Sequence, residues 1–154
     1  MTGVQTCALP ISDDVGPRRF ETGTPNLENI AATEAAARFL LEEGMHNVAA
    51  GEREVFAPLL DGLLAMPHVQ VWGPPTLESR TPTVAFTVRG KTPEHVATVL
   101  AANKIAVWDG SSYAVEVVSR LGLAESGGVV RAGVVRYVTH DDVARLLRVV
   151  HSLA

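Results

Sequence analysis

The chain has 154 residues, of which 47% are hydrophobic and 19% are charged, a composition that supports a packed domain and excludes a disordered chain. The 17 acidic and 13 basic residues give a net charge of -4, which argues against a surface that binds nucleic-acid phosphates. No apolar run reaches the roughly 20 residues of a membrane helix, and the N-terminus lacks the pattern of a signal peptide. With Cys7 as its single cysteine, the sequence predicts a soluble cytoplasmic protein.

The first residues differ from the rest of the chain in pattern. Thr2 to Ile11 read TGVQTCALPI, a string with neither helical nor strand periodicity. This string matches, residue by residue, the translation of a common short-read sequencing adapter. We therefore expect residues 1–12 to be an adapter-derived or disordered leader, and residues 13–154 to be part of a longer natural protein.

Two helices are predicted in the first half of the chain. A broad apolar stripe predicts a helix from about Pro25 to Glu43, and Gly44 follows it as a stop. A second apolar face predicts a helix over roughly residues 47–66. Pro58 lies inside this second helix and predicts a kink or a break there.

Beyond the second helix the apolar runs shorten and alternate, as strands do. Strands are predicted at residues 68–72, 83–88, 105–108 and 129–137. Helices are predicted at residues 93–103 and 113–121, and a final helix begins after Thr139, where Asp142 completes a capping box. The loops are too short for several parallel crossovers. The sequence therefore predicts an α+β fold, a mostly antiparallel sheet of three or four strands backed by helices.

Isolated residues give no catalytic signature. The five histidines are scattered without the spacing of metal ligands. The pair Gly127 and Gly128 lacks the following helix of a phosphate loop. Ser111 and Ser112 have no histidine near them in the sequence to activate a hydroxyl. These residues alone indicate a soluble α+β domain and no more.

Four segments in order carry a family resemblance. They are RFETGTPN at residues 19–26, TVAFTV at 83–88, IAVWDGSSYA at 105–114 and GVVRAGVVRYVT at 128–139. Together they resemble the C-terminal part of class V aminotransferases, the pyridoxal-phosphate family that includes cysteine desulfurases. The resemblance implies the C-terminal small domain of a fold-type I enzyme, over residues 13–154, without the large domain that carries the cofactor-binding lysine.

The resemblance implies roles for the residues at matching positions. Gly23 and Thr24 would contact the phosphate of pyridoxal 5'-phosphate, typically that of the neighbouring subunit in a homodimer, although Thr24 also suits an ordinary helix cap. Arg131 would bind the α-carboxylate of an amino-acid substrate, or else face outward from a half-solvated strand. Asp109 or Tyr113 would line the substrate entrance, the rival interpretation being that Tyr113 packs in the first turn of its helix.

Two departures from the family limit the activity of the chain. The loop from Trp108 to Tyr113 contains no cysteine, and hydroxyl groups are poorer nucleophiles toward sulfur than a thiolate. Classical desulfuration is therefore not expected, and the loop resembles that of a desulfurase-like subgroup. Lys91 and Lys104 are the only lysines, and neither lies in a context like the family's cofactor-lysine motif. We therefore expect the chain to be inactive alone.

Other functions stay open at this point. One alternative is a stand-alone α+β ligand-binding or regulatory module, and another is a pyridoxal-phosphate lyase or epimerase on the same scaffold. If the chain is part of a class V aminotransferase, its first helix packs against the missing domain. The apolar stripe of that helix should then be exposed in this chain. Arg136 has the opposite strand parity to Arg131 and is expected to be structural or at the surface.

Overall fold

The computed structural model describes Gly16 and residues 23–154. The expected leader, residues 1–12, lies outside the described residues. The chain divides into two compact units, residues 1–43 and residues 44–154. Along the described part of the chain the elements follow one another as helix, helix, strand, strand, helix, strand, helix, strand, helix. This is the order that the sequence predicts.

The first unit contains helix α1, Leu27–Glu43. Asn26 caps this helix, because its side-chain oxygen accepts a hydrogen bond from the N–H of Asn29 at 2.9 Å and its carbonyl accepts one from Ile30 at 3.1 Å. Thr24 lies two residues before the cap. The interpretation of Thr24 as an ordinary N-cap is therefore wrong.

Helix α1 exposes its apolar side chains. No residue of the helix is buried, and the exposed large ones are Leu27, Ile30, Phe39, Leu40 and Leu41. An ion pair one turn apart joins Arg38 to Glu34 on the same helix. Such exposed pairs contribute only about 0.3–0.5 kcal/mol. The apolar stripe therefore remains an open surface in this chain, as the sequence predicts.

The second unit contains four helices and four strands. The helices are α2 (Met45–Leu64), α3 (Pro93–Ala102), α4 (Val115–Arg120) and α5 (His140–His151). The strands are β1 (Val69–Trp72), β2 (Thr83–Val88), β3 (Trp108–Gly110) and β4 (Val129–Gly133). The side chain of Thr92 caps α3, and Thr139 and Asp142 form the predicted capping box of α5.

The four strands form one antiparallel sheet in the order β1-β2-β4-β3. Helices α2 and α3 pack against the sheet, and α5 packs against both of these helices. The predicted α+β class, with a mostly antiparallel sheet backed by helices, is confirmed. Along β2 the residues alternate between buried and half-buried, because successive side chains of a strand point to opposite faces.

The core of the second unit lies between the sheet and the helices. Its largest fully buried side chains are Phe56, Leu59, Leu60, Leu63, Val84, Phe86, Val96, Leu100, Val130 and Val150. Burying an aliphatic or aromatic side chain of this size stabilises a fold by about 1.5–3 kcal/mol. The core therefore holds α2, α3 and α5 on one face of the sheet and leaves the other face without these helices.

Helix α2 continues through Pro58 without the break that the sequence allows. A proline inside a helix costs about 3 kcal/mol, because it removes a backbone hydrogen bond and its ring crowds the preceding turn. Phe56, Leu59 and Leu60 flank Pro58 and are at most 2% exposed. Their burial outweighs the cost of the proline, so the helix stays continuous.

Strands β3 and β4 differ from their predicted bounds. Strand β3 begins at Trp108, not at Ile105, because the N–H of Ile105 bonds to the carbonyl of Leu100 at the end of α3. Strand β4 ends at Gly133, not at Tyr137, because its partner β2 begins opposite Gly133. Regular pairing cannot extend beyond the neighbouring strands, however apolar the sequence is.

Within residues 23–154 the helices are all too short or too polar to cross a membrane. The same residues hold no cluster of three or more histidine, cysteine, aspartate or glutamate side chains that could bind a metal ion.

Candidate functional site

Four residues form a row across the open face of the sheet, the face opposite α2 and α3. Trp72 of β1 pairs with Ala85 of β2, Ala85 pairs with Arg131 of β4, and Arg131 pairs with Trp108 of β3. Directly paired residues in antiparallel strands point to the same side. The row therefore places a guanidinium between a small alanine and an indole, with a second indole beyond the alanine.

Arg131 is exposed on this open face. Its neighbours along the strand, Val130 and Ala132, are buried on the opposite face. Among the described residues Arg131 has no ion pair and no side-chain hydrogen bond. The structure thus puts it in the outward-facing position, and its charge is not offset by a protein carboxylate. Arg136 is also exposed and lies beyond the end of β4, as the sequence predicts.

The α4 hollow lies beside Arg131, between the open face and helix α4. It has a volume of about 390 Å³ and is lined by Trp72, Ala85, Val117, Val118, Leu121 and Arg131, among others. Small-molecule sites commonly measure about 300–1,000 Å³ and are mostly apolar with a few polar groups. Among the described residues of the lining, Arg131 is the one that carries a charge. The hollow therefore combines an apolar wall with a single cation.

Trp72 is fixed at one side of the α4 hollow. Its indole N–H donates a hydrogen bond to the hydroxyl of Thr87 at 3.1 Å, which satisfies the polar atom of a half-buried tryptophan. On the other side, Arg131 also borders a more open hollow with Trp108, Thr81 and Thr83. Arg131 therefore lies between an apolar hollow and a more polar one.

The loop after β3 has an unusual backbone. Ser112 and Tyr113 have φ of 49° and 64°, in the left-handed region that non-glycine residues seldom adopt. The Ser112 hydroxyl, in the lining of the α4 hollow, is buried without a hydrogen-bond partner among the described residues. A buried polar atom without a partner is uncommon in native proteins, and this one is available to a ligand.

Tyr113 and Asp109 do not line the α4 hollow. Tyr113 is 95% exposed and precedes α4, which begins at Val115. The interpretation that it packs in the first turn of the helix is therefore wrong. Asp109 pairs with Val130, so strand alternation directs it to the face opposite Arg131. The structure brings Arg131 together with Trp108, and not with Asp109.

Gly23 and Thr24 belong to the first unit, whereas Arg131 belongs to the second. Gly23 has a φ of 76°, and no atom lies within 4 Å of the position that a Cβ would take. Asn26, and not Thr24, caps α1, and the Thr24 hydroxyl has no hydrogen-bond partner among the described residues. A free hydroxyl and the N–H groups of a helix start are donors that suit a phosphate, although Glu28 in the first turn opposes an anion.

Sequence reasoning missed Trp72, Val117 and the buried hydroxyl of Ser112. Trp72 ends a predicted strand, so its face could have been deduced from alternation, but its row partners depend on the strand order. Val117 is 57% exposed on a helix of six residues. Its place in the α4 hollow follows from tertiary packing, which no local pattern in the sequence reports.

Comparison with known proteins places the chain in a family. A family model described as aminotransferase class-V matches residues 9–146. The chain is 37% identical over 131 residues to a probable cysteine desulfurase 2 of Mycobacterium leprae, an alignment that covers 85% of the chain and 31% of the relative. It is 29% identical over 150 residues to a probable cysteine desulfurase of Pyrococcus abyssi, covering 97% of the chain and 36% of that protein.

Solved structures agree with the sequence comparison. The apo cysteine desulfurase of Thermococcus onnurineus superposes with a TM-score of 0.81 at 31% identity, covering 89% of this chain and 33% of that one. The cysteine desulfurase CsdA of Escherichia coli superposes with a TM-score of 0.77 at 25% identity, covering 90% and 33%. The chain thus spans about a third of the length of the curated relatives it matches. It belongs to the class V aminotransferase family.

Proposed function

We propose that this chain is the C-terminal part of a longer pyridoxal-phosphate-dependent enzyme that acts on an α-amino acid. The observation that carries the proposal is the position of Arg131, an exposed cation without a partner among the described residues, beside an apolar hollow. Membership of the class V aminotransferase family supports the cofactor. The lysine that binds the cofactor would lie in the rest of the protein, because Lys91 and Lys104 are both outside the lining of the α4 hollow.

Arg131 would bind and orient the substrate through its α-carboxylate. A guanidinium presents parallel N–H donors that match the two oxygens of a carboxylate, and such paired hydrogen bonds fix the direction of the ligand. Pyridoxal phosphate, when bound, withdraws electrons from the α-carbon of an amino acid. The contribution of Arg131 is to hold the substrate in one orientation, so that less orientational entropy is lost in the reaction.

Gly23 and Thr24 would contact the cofactor phosphate. The free hydroxyl of Thr24 and the N–H groups at the start of α1 would supply the donors for an anion. Gly23, with its positive φ and no atom within 4 Å of its Cβ position, leaves space for the phosphate. We propose that this phosphate belongs to the neighbouring subunit of a homodimer. Tyr113, exposed directly after β3, would line the entrance for substrate. Asp109, the other candidate, points to the face opposite Arg131 and is left out of the proposal. The loop from Trp108 to Tyr113 offers hydroxyls but no thiol, so persulfide chemistry does not belong to the proposal.

The carboxylate assignment is tested in the complete protein, obtained by extending the reading frame upstream and purified with pyridoxal phosphate. Arg131→Lys should raise the KM for the amino-acid substrate at least tenfold, because an ammonium cannot reproduce the bidentate contact. Arg136→Lys, on the same segment but outside the α4 hollow, is the matched control and should leave KM unchanged. Equal KM values for the wild type and Arg131→Lys would contradict the role of Arg131.

The proposed binding of pyridoxal phosphate is tested separately, by visible absorption and by cofactor retention. The complete protein should show the visible absorption band of bound pyridoxal phosphate, and Thr24→Ala should retain less cofactor after dialysis. Thr33→Ala serves as a control, since the Thr33 hydroxyl already donates to the carbonyl of Asn29 at 2.7 Å. A complete protein without the band, even after cofactor addition, would refute the enzyme assignment. Full retention in Thr24→Ala would refute only the phosphate contact.

A further inference from the structure

The residues that line the α4 hollow indicate what kind of side chain the ligand carries. The contact between Arg131 and the carboxylate does not determine this. Within the part of the chain that the structure describes, Arg131 is the single charged residue of the lining, and the remainder is mostly valine, leucine, alanine and tryptophan. Ser111 and Ser112 add two hydroxyls and no charge. A ligand whose carboxylate meets Arg131 would therefore place its other end against apolar groups.

A charged or strongly polar side chain would be disfavoured in the α4 hollow. Burial of an ionised group without a partner costs several kcal/mol, and the lining offers no cation besides the one that binds the carboxylate. An apolar side chain would instead remove Val117 and Leu121 from water. Val117 and Leu121 are 57% and 41% exposed, so apolar surface remains there for a ligand to cover.

We propose that the α4 hollow is the side-chain subsite for an α-amino acid with an apolar side chain, and that Val117 is one of its specificity-determining residues. This inference rests on the proposed function, since it takes Arg131 as the carboxylate contact. The second hollow beside Arg131 is the poorer subsite for such a side chain, because it is more open and a larger share of its lining is polar. The buried Ser112 hydroxyl would form a hydrogen bond only with the carboxylate or amino group of the ligand, not with its apolar side chain.

The chain carries its own probe for the test. It has two tryptophans; Trp72 lines the α4 hollow, and Trp108 is the row neighbour of Arg131. Fluorescence titration of the complete protein, purified with pyridoxal phosphate as above, with L-alanine, L-leucine, L-aspartate and L-leucinamide gives a dissociation constant for each. Leucine should bind at least tenfold more tightly than alanine, because it buries more apolar carbon. Aspartate should bind no better than alanine, and leucinamide should bind at least tenfold more weakly than leucine.

A matched pair of variants locates the subsite. Val117→Asn removes apolar surface from the lining, whereas Val115→Asn changes an exposed valine of the same helix that lies outside it. The preference for leucine over alanine should fall at least threefold in Val117→Asn and stay unchanged in Val115→Asn. An equal loss of the leucine preference in both variants would contradict the subsite, because it would show a general disturbance of α4 and not a specific effect of the residue that lines the hollow.

The ligand series separates the two proposals. If leucine is preferred to leucinamide but leucine, alanine and aspartate bind alike, the apolar subsite is refuted and the carboxylate contact stands. If leucine and leucinamide bind alike, or if none of the ligands binds, both the carboxylate contact and the subsite are refuted.

Discussion

The two faces of the sheet carry different residues although the same strands build both. On the helix-covered face, Val84, Phe86 and Val130 are 0% exposed. On the open face, Ala85 and Arg131 occupy the alternate positions of β2 and β4 and remain half-buried or exposed. One face therefore holds the fold together, while the other presents Arg131, whose guanidinium makes no ion pair and no side-chain hydrogen bond among the described residues.

This contrast separates residues that stabilise from residues that are free to bind. A buried apolar side chain lowers the free energy of the folded state wherever it packs. An exposed arginine without an ion pair contributes little to that free energy, so its position is open to a ligand. The assignment of Arg131 to binding depends on this separation, and stability measurements on the 154-residue chain can test it.

The largest effect is expected on the covered face. Phe86→Ala should lower the free energy of unfolding by about 3–5 kcal/mol, because it leaves a cavity in the core. Thr87→Ala, the next residue on the open face, should cost about 1 kcal/mol, since it loses the hydrogen bond from Trp72. Urea denaturation followed by circular dichroism measures both. Similar costs at the two positions would contradict the distinction between the faces.

A smaller effect is expected where β3 joins the sheet. Gly128 has a φ of 92°, and a Cβ built there would lie 2.3 Å from the carbonyl oxygen of Gly110. Gly128→Ala should therefore cost about 1–3 kcal/mol from backbone strain, and more from the clash, which would displace β3 and Trp108. The adjacent Gly127 has a φ of 90°, but its Cβ would meet only Pro93, at 3.6 Å.

Gly127→Ala is thus a control that shares the positive φ and lacks the backbone clash. Gly128→Ala should be the less stable of the two in urea denaturation, and its Trp108 fluorescence should shift. If both variants lose the same stability, the close approach of Gly128 to Gly110 does not restrict the edge of the open face.

The sequence predicted the covered face better than the open one. The alternation of TVAFTV gives β2 its observed bounds, and the cap residues Thr92 and Thr139 begin their helices as predicted, because these signals are local. The strand order is not local. It decides that Arg131 lies between Ala85 and Trp108, and a pattern of two-residue period cannot reveal which strands are neighbours.

An effect of about 1 kcal/mol is expected at the start of α5, which buries Val143, Leu146 and Val150 on the covered side. Thr139→Ala removes the N-cap and should cost about that amount at neutral pH. The hydroxyl and the backbone N–H of Thr139 donate to Asp142, and with a contribution from Arg145 they lower the pKa of Asp142 from its ordinary value of 3.8.

The pH dependence follows from the direction of that shift. A carboxyl with a lowered pKa in the folded state stabilises the fold above its unfolded pKa, and this stabilisation is lost as the pH falls through the folded value. The difference in unfolding free energy between wild type and Thr139→Ala should therefore shrink as the pH falls below about 4. A difference that stays constant from pH 7 into this acid range would exclude Asp142 as the titrating partner of the cap.

The smallest effect is expected at Arg131 itself. Arg131→Met keeps much of the side-chain stem and removes a charge that has no protein partner among the described residues, so the free energy of unfolding should change by less than about 0.5 kcal/mol. Arg80→Met is the contrasting substitution. Arg80 donates to the carbonyls of Pro74 and Thr83 and lies over the ring of Phe56, with its guanidinium carbon 4.9 Å from the ring centroid.

Burial lowers the pKa of Arg80 from its ordinary value, which marks a cation that the fold has taken partly out of water. Arg80→Met should cost about 1–3 kcal/mol, because hydrogen bonds to a charged group are lost and the carbonyls are left without a donor. Thermal or urea unfolding measures the loss of stability in each of the two variants and compares Arg131→Met with Arg80→Met. If Arg131→Met destabilised the chain as much as Arg80→Met, Arg131 would serve the fold, and its availability to a carboxylate ligand would no longer follow from its position on the open face.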